Sequence, residues 1–77
     1  MEVSDLAQAL RFHRKKAGLS QKDLAKLASV GKTVIYDLEK AKESVQLDTL
    51  LKVLNALNIH MVFQGPMMHT FLRSKQQ

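Results

Sequence analysis

The chain has 77 residues, with 12 Lys and Arg against 7 Asp and Glu, a formal charge of +5 and no cysteine. That length allows one domain with a modest buried core, which argues against a deep enzymatic cleft and makes oligomerisation an expectation. The excess of positive charge favours a polyanionic partner, and the lack of cysteine removes any disulfide framework or thiolate metal site and fits a reducing compartment, though others as well.

Ser4 or Asp5 is positioned to cap a first helix whose inward residues are Leu6, Leu10 and Ala17, with Gly18 as a left-handed terminator. Its end is a basic cluster, Arg11, His13, Arg14, Lys15 and Lys16, where cations suit the helix dipole and where phosphates could also be met. Lys15 and Lys16 read equally as a solvated helix end or as phosphate contacts. Ser20 caps a second helix beginning near Gln21, and Asp23 places a carboxylate in its positive first turn. Leu24, Leu27 and Ala28 form its inward stripe, Ala25 is small enough for another helix to approach, and Lys22, Asp23 and Lys26 face out. Ser29-Val30-Gly31 breaks the pattern. Val34, Ile35 and Leu38 restart it, with Lys32, Thr33, Tyr36, Asp37 and Lys40 on the polar face. Two short helices joined by a tight turn are the grammar of a DNA-reading helix-turn-helix.

A polar connection, residues 41–46, leads to a further amphipathic helix carrying Leu47, Leu50, Leu51, Leu54 and Leu57, with Asp48 in its first turn and Asn58 as its left-handed stop. Residues 59–64, Ile-His-Met-Val-Phe-Gln, are rich in branched and aromatic side chains and stop at Gly65-Pro66, which predicts one β-strand. A lone strand needs a partner for its N–H and C=O groups. The economical one is the same strand of a second copy, paired antiparallel across a two-fold axis through Ile59, Met61, Val62 and Phe63; the alternative is an extended tail packed on the helices. Residues 1–64 are therefore taken as the domain and 65–77 as a tail, a short docking helix or a flexible end.

Leu10-Arg11, Arg14, Gly18-Leu19-Ser20-Gln21, Leu24-Ala25, Val30, Ile35 and Leu38-Glu39, in that order and spacing, resemble the Cro/phage-repressor (XRE) type of helix-turn-helix over residues 3–57. The leucine-rich helix followed by a strand is most similar to the HipB branch of antitoxins, whose members dimerise partly through such a strand and hold a HipA-like kinase. The resemblance implies an all-α, five-helix, lambda-repressor-like DNA-binding domain, plus the strand, with the third helix in the major groove. By position it places Lys32, Thr33 and Asp37 at base edges with Tyr36 beside them, Gln21 and neighbouring Ser20 at the phosphate backbone, and Arg14 with Glu39 as a structural salt bridge. Two departures stand out: Gly31 replaces the usual Ser or Thr cap, and Lys40-Ala41 replaces the usual Asn-Gly, which leaves the end of the third helix less sharply defined.

Lysine at position 32 has the chemistry to donate to guanine O6 and N7, and Thr33 to meet a polar edge or a thymine methyl. Asp37 either accepts from cytosine N4 or orients Lys32 or Lys40; Tyr36 reads as a base contact, a phosphate contact or packing. Lys40 and Lys42 follow the reading helix, where backbone phosphates are met or where lysines are simply solvated. His13, His60 and His69 have no metal spacing, and no catalytic or cofactor signature appears. The expected protein is a cytoplasmic homodimeric repressor on an inverted-repeat operator, without cofactor or metal, serving as antitoxin to a HipA-like kinase and repressing its own operon. A phage-type repressor or restriction-modification controller without a toxin competes with it, as does an interaction adaptor using the fold as scaffold.

Overall fold

The computed structural model describes residues 2–75 as five helices, α1 (Val3–Lys16), α2 (Gln21–Ala28), α3 (Lys32–Glu39), α4 (Leu47–Ala56) and α5 (Met68–Lys75). The helix α2 sits centrally against α3 and α4, and α1 lies against α3. Leu10, Leu24, Ala25, Ala28, Ile35, Leu38, Leu50, Val53 and Leu54 form one core, closed at its margins by Leu6, Leu19, Val34, Val45, Leu57 and Ile59. Helices of eight residues are unstable alone, so α2 and α3 owe their existence to these apolar faces. Ala25, 4% exposed, is the small residue that permits close helix approach.

Several sequence expectations need correction. α1 starts at Val3 rather than after Ser4 or Asp5, because Asp5 reaches back to accept the Glu2 backbone N–H at 3.0 Å. Ala17 is exposed at the helix cap. Leu27 is 59% exposed, since the buried stripe of α2 runs through Leu24, Ala25 and Ala28 and position 27 falls outside it. In α4 the inward residues are Leu50, Val53 and Leu54, leaving Leu47 at 65% and Leu51 at 40% exposure.

Residues 59–64 form no strand within the chain. The Ile59 N–H donates to the Leu54 carbonyl to close α4, and among the described residues the N–H groups of 60–64 have no backbone acceptor. A strand is defined by a ladder, and a single copy offers this segment none. The tail is the helix α5, which buries none of its residues; positions 76–77 lie outside the described residues.

Helix ends are set by residues in the left-handed region: Gly18 (φ 73°), Ser29 (58°), Ala41 (63°) and Asn58 (57°). After α3, Ala41 N–H donates to Leu38 O at 3.1 Å and Lys42 N–H to Asp37 O at 3.0 Å, so this end is sharply closed although no glycine stands there. An alanine Cβ in that conformation is strained. Ala41→Gly is therefore expected to stabilise the domain by about 0.5–1 kcal/mol, read as a higher urea midpoint at unchanged slope.

Candidate nucleic-acid interface

The site is built on α3, whose direction is fixed from both ends. Ser20 and Asp23 make a reciprocal cap on α2: the Asp23 N–H donates to Ser20 Oγ at 3.0 Å and the Ser20 N–H to Asp23 Oδ2 at 3.1 Å. The Ser20 backbone N–H, then its hydroxyl, hold the Asp23 carboxyl below the usual carboxylate range. The Val30 N–H closes α2 onto Ala25 O at 2.9 Å, and Gly31 opens α3 in extended backbone without a side-chain cap. Three residues of chain thus join the two helices.

At the other end Arg14 binds Glu39 through two parallel hydrogen bonds, Nε to Oε2 at 2.6 Å and Nη2 to Oε1 at 2.9 Å. Its Nη1 donates to Leu19 O at 2.8 Å, and Gln21 Nε2 donates to Glu39 Oε1 at 3.4 Å. Both side chains are nearly buried, at 10% and 6% exposure. The Glu39 hydrogen bond raises the Arg14 pKa against its desolvation. Burial alone would push the Glu39 carboxyl up; hydrogen bonds from Arg14 and Gln21, with the charges of Arg14 and Arg11, outweigh it and hold the group below the carboxylate range.

The outer face of α3 presents Lys32, Thr33 and Tyr36, the last 50% exposed, and with Gln21 these line one shallow depression. Lys40 places its ammonium 5.5 Å over the Tyr36 ring. Asp37 lies apart from that group. It pairs with Lys42 at 3.5 Å, beside a mostly apolar hollow lined by Val34, Leu38, Val45 and Thr49, rather than with Lys32 or Lys40. Ser20 Oγ accepts within the cap of α2, and its hydroxyl also serves the Asp23 carboxyl, so this side chain is engaged in the cap. Lys15 and Lys16 are exposed on α1, where the Lys16 ammonium lies 5.6 Å over Phe12. Arg11, which the sequence places in the basic cluster ending α1 without singling it out, lines a second cleft with Arg14, Gln21, Tyr36, Glu39 and Lys40. Its position one turn before Arg14 was the available signal.

Among the described residues no group of three or more His, Asp or Glu side chains is placed to hold a metal ion, and no helix is long and apolar enough to cross a membrane.

A helix-turn-helix family profile matches residues 4–64. The chain belongs to the helix-turn-helix family. An uncharacterised HTH-type transcriptional regulator of Sinorhizobium fredii, y4mF, is 35% identical over 63 residues, which are 82% of this chain and 83% of that protein. Among solved structures, a chain of a HipA-HipB-O2-O3 complex is 26% identical with a TM-score of 0.77, covering 86% of this chain and 93% of its own. The restriction-modification controller C.AhdI of Aeromonas hydrophila is 33% identical with a TM-score of 0.68, over 75% and 88%. This helix-turn-helix protein is a DNA-binding transcriptional regulator and not an enzyme.

Removing one partner of the Arg14–Glu39 pair strands a buried charge, so Arg14→Ala is expected to cost about 3 kcal/mol or more in denaturant unfolding, whereas Arg14→Met with Glu39→Leu costs less. Glu39 and Asp23 have lowered folded pKa values, so their stabilisation is complete above the unfolded carboxylate range and is lost as pH falls through the folded values. The wild type should lose stability progressively below about pH 4.5. Glu39→Gln, less stable near neutrality, should show a flatter acid limb in the same unfolding series.

Proposed function

We propose that two copies of this chain form a dimeric repressor that reads an inverted-repeat operator, represses its own operon and acts in the cytoplasm as antitoxin to a HipA-like kinase. The observation that carries the DNA half is the outer face of α3, where Lys32, Thr33 and Tyr36 stand exposed together beside Gln21. A helix with that surface fits the major groove, Lys32 donating to guanine O6 and N7 and Thr33 meeting a polar edge or a thymine methyl. Asp37 stays at the margin as a second base contact, accepting from cytosine N4 once Lys42 turns to a phosphate. Ser20, Gln21, Lys40 and Lys42 supply the remaining backbone contacts.

Dimerisation is supported by the C-terminal half. Ile59, His60, Met61 and Phe63 line one largely apolar hollow with Leu47, Leu51 and Leu54, and Val62 is 74% exposed. Antiparallel pairing of 59–64 with its symmetry mate supplies a ladder to the unpaired N–H groups and covers that hollow. Residues 1–64 then form the working unit, with the tail from 65 outside it. Two α3 helices presented this way read half-sites about 34 Å apart.

The antitoxin assignment is favoured by the likeness to a chain of the HipA-HipB-O2-O3 complex, which extends over 86% of this chain. A restriction-modification controller without a toxin is the second reading, favoured by the higher identity to C.AhdI. Co-purification of a kinase encoded beside this gene supports the first, whereas an adjacent endonuclease gene and no kinase complex supports the second.

In binding to the protein's own upstream DNA, Lys32→Ala is expected to lower operator affinity about tenfold or more and to abolish preference over a scrambled duplex. Lys42→Ala should weaken both duplexes evenly and reduce the salt dependence. If neither substitution matters and no sequence is preferred, the fold serves as an interaction scaffold. Met61→Asp with Phe63→Asp is expected to yield a monomer in sedimentation with the helical content retained.

A further inference from the structure

We propose that the cleft between the C-terminal part of α1 and α3 is a seat for one backbone phosphate of duplex DNA, gripped by Arg11 from one wall and Lys40 from the other. This rests on the DNA-binding reading above and adds α1 to the contact surface.

The cleft, about 320 Å³, is lined by Arg11, Arg14, Gln21, Tyr36, Glu39 and Lys40. Three cations against one carboxylate leave it positive. The single carboxylate is also unable to repel an anion at full strength, because the Arg14 guanidinium covers both its oxygens at 2.6 and 2.9 Å. The ion pair is thus a neutral floor, and the positive excess comes from the two remaining cations.

Those cations are differently prepared. Lys40 is held at the rim with its ammonium 5.5 Å above the Tyr36 ring, an arrangement that limits its rotamers while leaving the donors available. Arg11 is exposed and, among the described residues, donates no hydrogen bond and makes no ion pair, although its charge is felt at Glu39. A guanidinium whose five N–H donors hold no acceptor among the described residues matches a phosphodiester, whose two oxygens it can bind side by side. Gln21 completes the set: one amide N–H is directed to Glu39 at 3.4 Å, and the second stays available. Gln21 and Tyr36 line both this cleft and the depression holding Lys32 and Thr33, so a phosphate seated here belongs to the same continuous surface as the base-reading residues. A contact of this kind sets the register of α3 without reading sequence.

The test compares wild type, Arg11→Gln, Arg11→Lys and, as a control for bulk charge, Lys52→Gln on the exposed side of α4. Each is titrated against operator and scrambled duplexes across a salt series, with thermal unfolding to check the fold. Arg11→Gln should lose about tenfold in affinity on both duplexes at low salt, the size expected for a charge-assisted hydrogen bond. The slope of log affinity against log salt should fall by about 1 per subunit. Arg11→Lys should recover part of the loss, and Lys52→Gln should stay near wild type. Duplex binding that is indifferent to Arg11, or that falls equally with Lys52→Gln, overturns the phosphate seat while leaving the repressor reading intact. Loss of sequence preference in Arg11→Gln also overturns it, because that assigns base reading to Arg11. A wild type that binds no duplex removes the repressor reading and this seat together. Equal protection of wild type and Arg11→Gln against heating by inorganic phosphate shows that free phosphate does not use the cleft; protection of wild type alone at millimolar phosphate, without the duplex effect, overturns the DNA assignment in favour of a free-anion site.

Discussion

The Arg14 guanidinium joins by hydrogen bonds parts of the chain that otherwise meet only through the apolar core. It holds the last residue of α3 through Glu39 and the loop after α1 through the Leu19 carbonyl, and Glu39 in turn accepts from the first residue of α2. The angle between the two helices of the motif is therefore tied to α1. Such a pair contributes little net stability, since desolvating two charges costs about what their attraction returns. Its value lies in geometry: a bidentate guanidinium–carboxylate contact tolerates little displacement, so the outer face of α3 is presented in one orientation.

That orientation matters because α2 and α3 are short. Neither has the length to persist as an isolated helix, and each is held by an inward stripe, Leu24, Ala25 and Ala28 on one, Ile35 and Leu38 on the other. With the apolar half of each helix devoted to the core, the remaining half is open to functional choice. In α3 it carries Lys32, Thr33 and Tyr36, with Lys40 just past the helix end. The exposed ring of Tyr36 connects the base-facing depression to the cleft beside Arg11, so one side chain borders two differently constructed surfaces.

The C-terminal half has the opposite character. A chain of 77 residues cannot cover all its apolar surface, and here part of the excess lines one hollow, with Leu47, Leu51, Met61 and Phe63. The segment that carries Met61 and Phe63 also holds backbone N–H groups without a backbone acceptor among the described residues. A second copy offers a remedy for both conditions at once.

Local pattern alone determined the helix-turn-helix. Ser20 with Asp23 marked the start of α2, Gly18 and Asn58 marked helix ends, and Val34, Ile35 and Leu38 marked the inward face of α3, because capping and periodicity act between neighbours in the chain. The same pattern misjudged Leu27, Leu47 and Leu51, since a leucine shows that a position is apolar but not that another element comes to cover it. For 59–64 it shows β-forming side chains, but the ladder they need is a matter of what lies alongside, and a single copy supplies none. The sharp end of α3 at Ala41 was hidden because the hydrogen bonds of Ala41 and Lys42 place a non-glycine residue in a left-handed conformation that its own propensity disfavours. The sequence by itself thus determined α1 to α4 and which residues face outward on α3. Only the tertiary structure decided that Asp37 turns to Lys42, that Lys40 lies over Tyr36, and that Arg11 shares a cleft with them, because those relations depend on the packing of α1 across α3 and on no spacing along the chain.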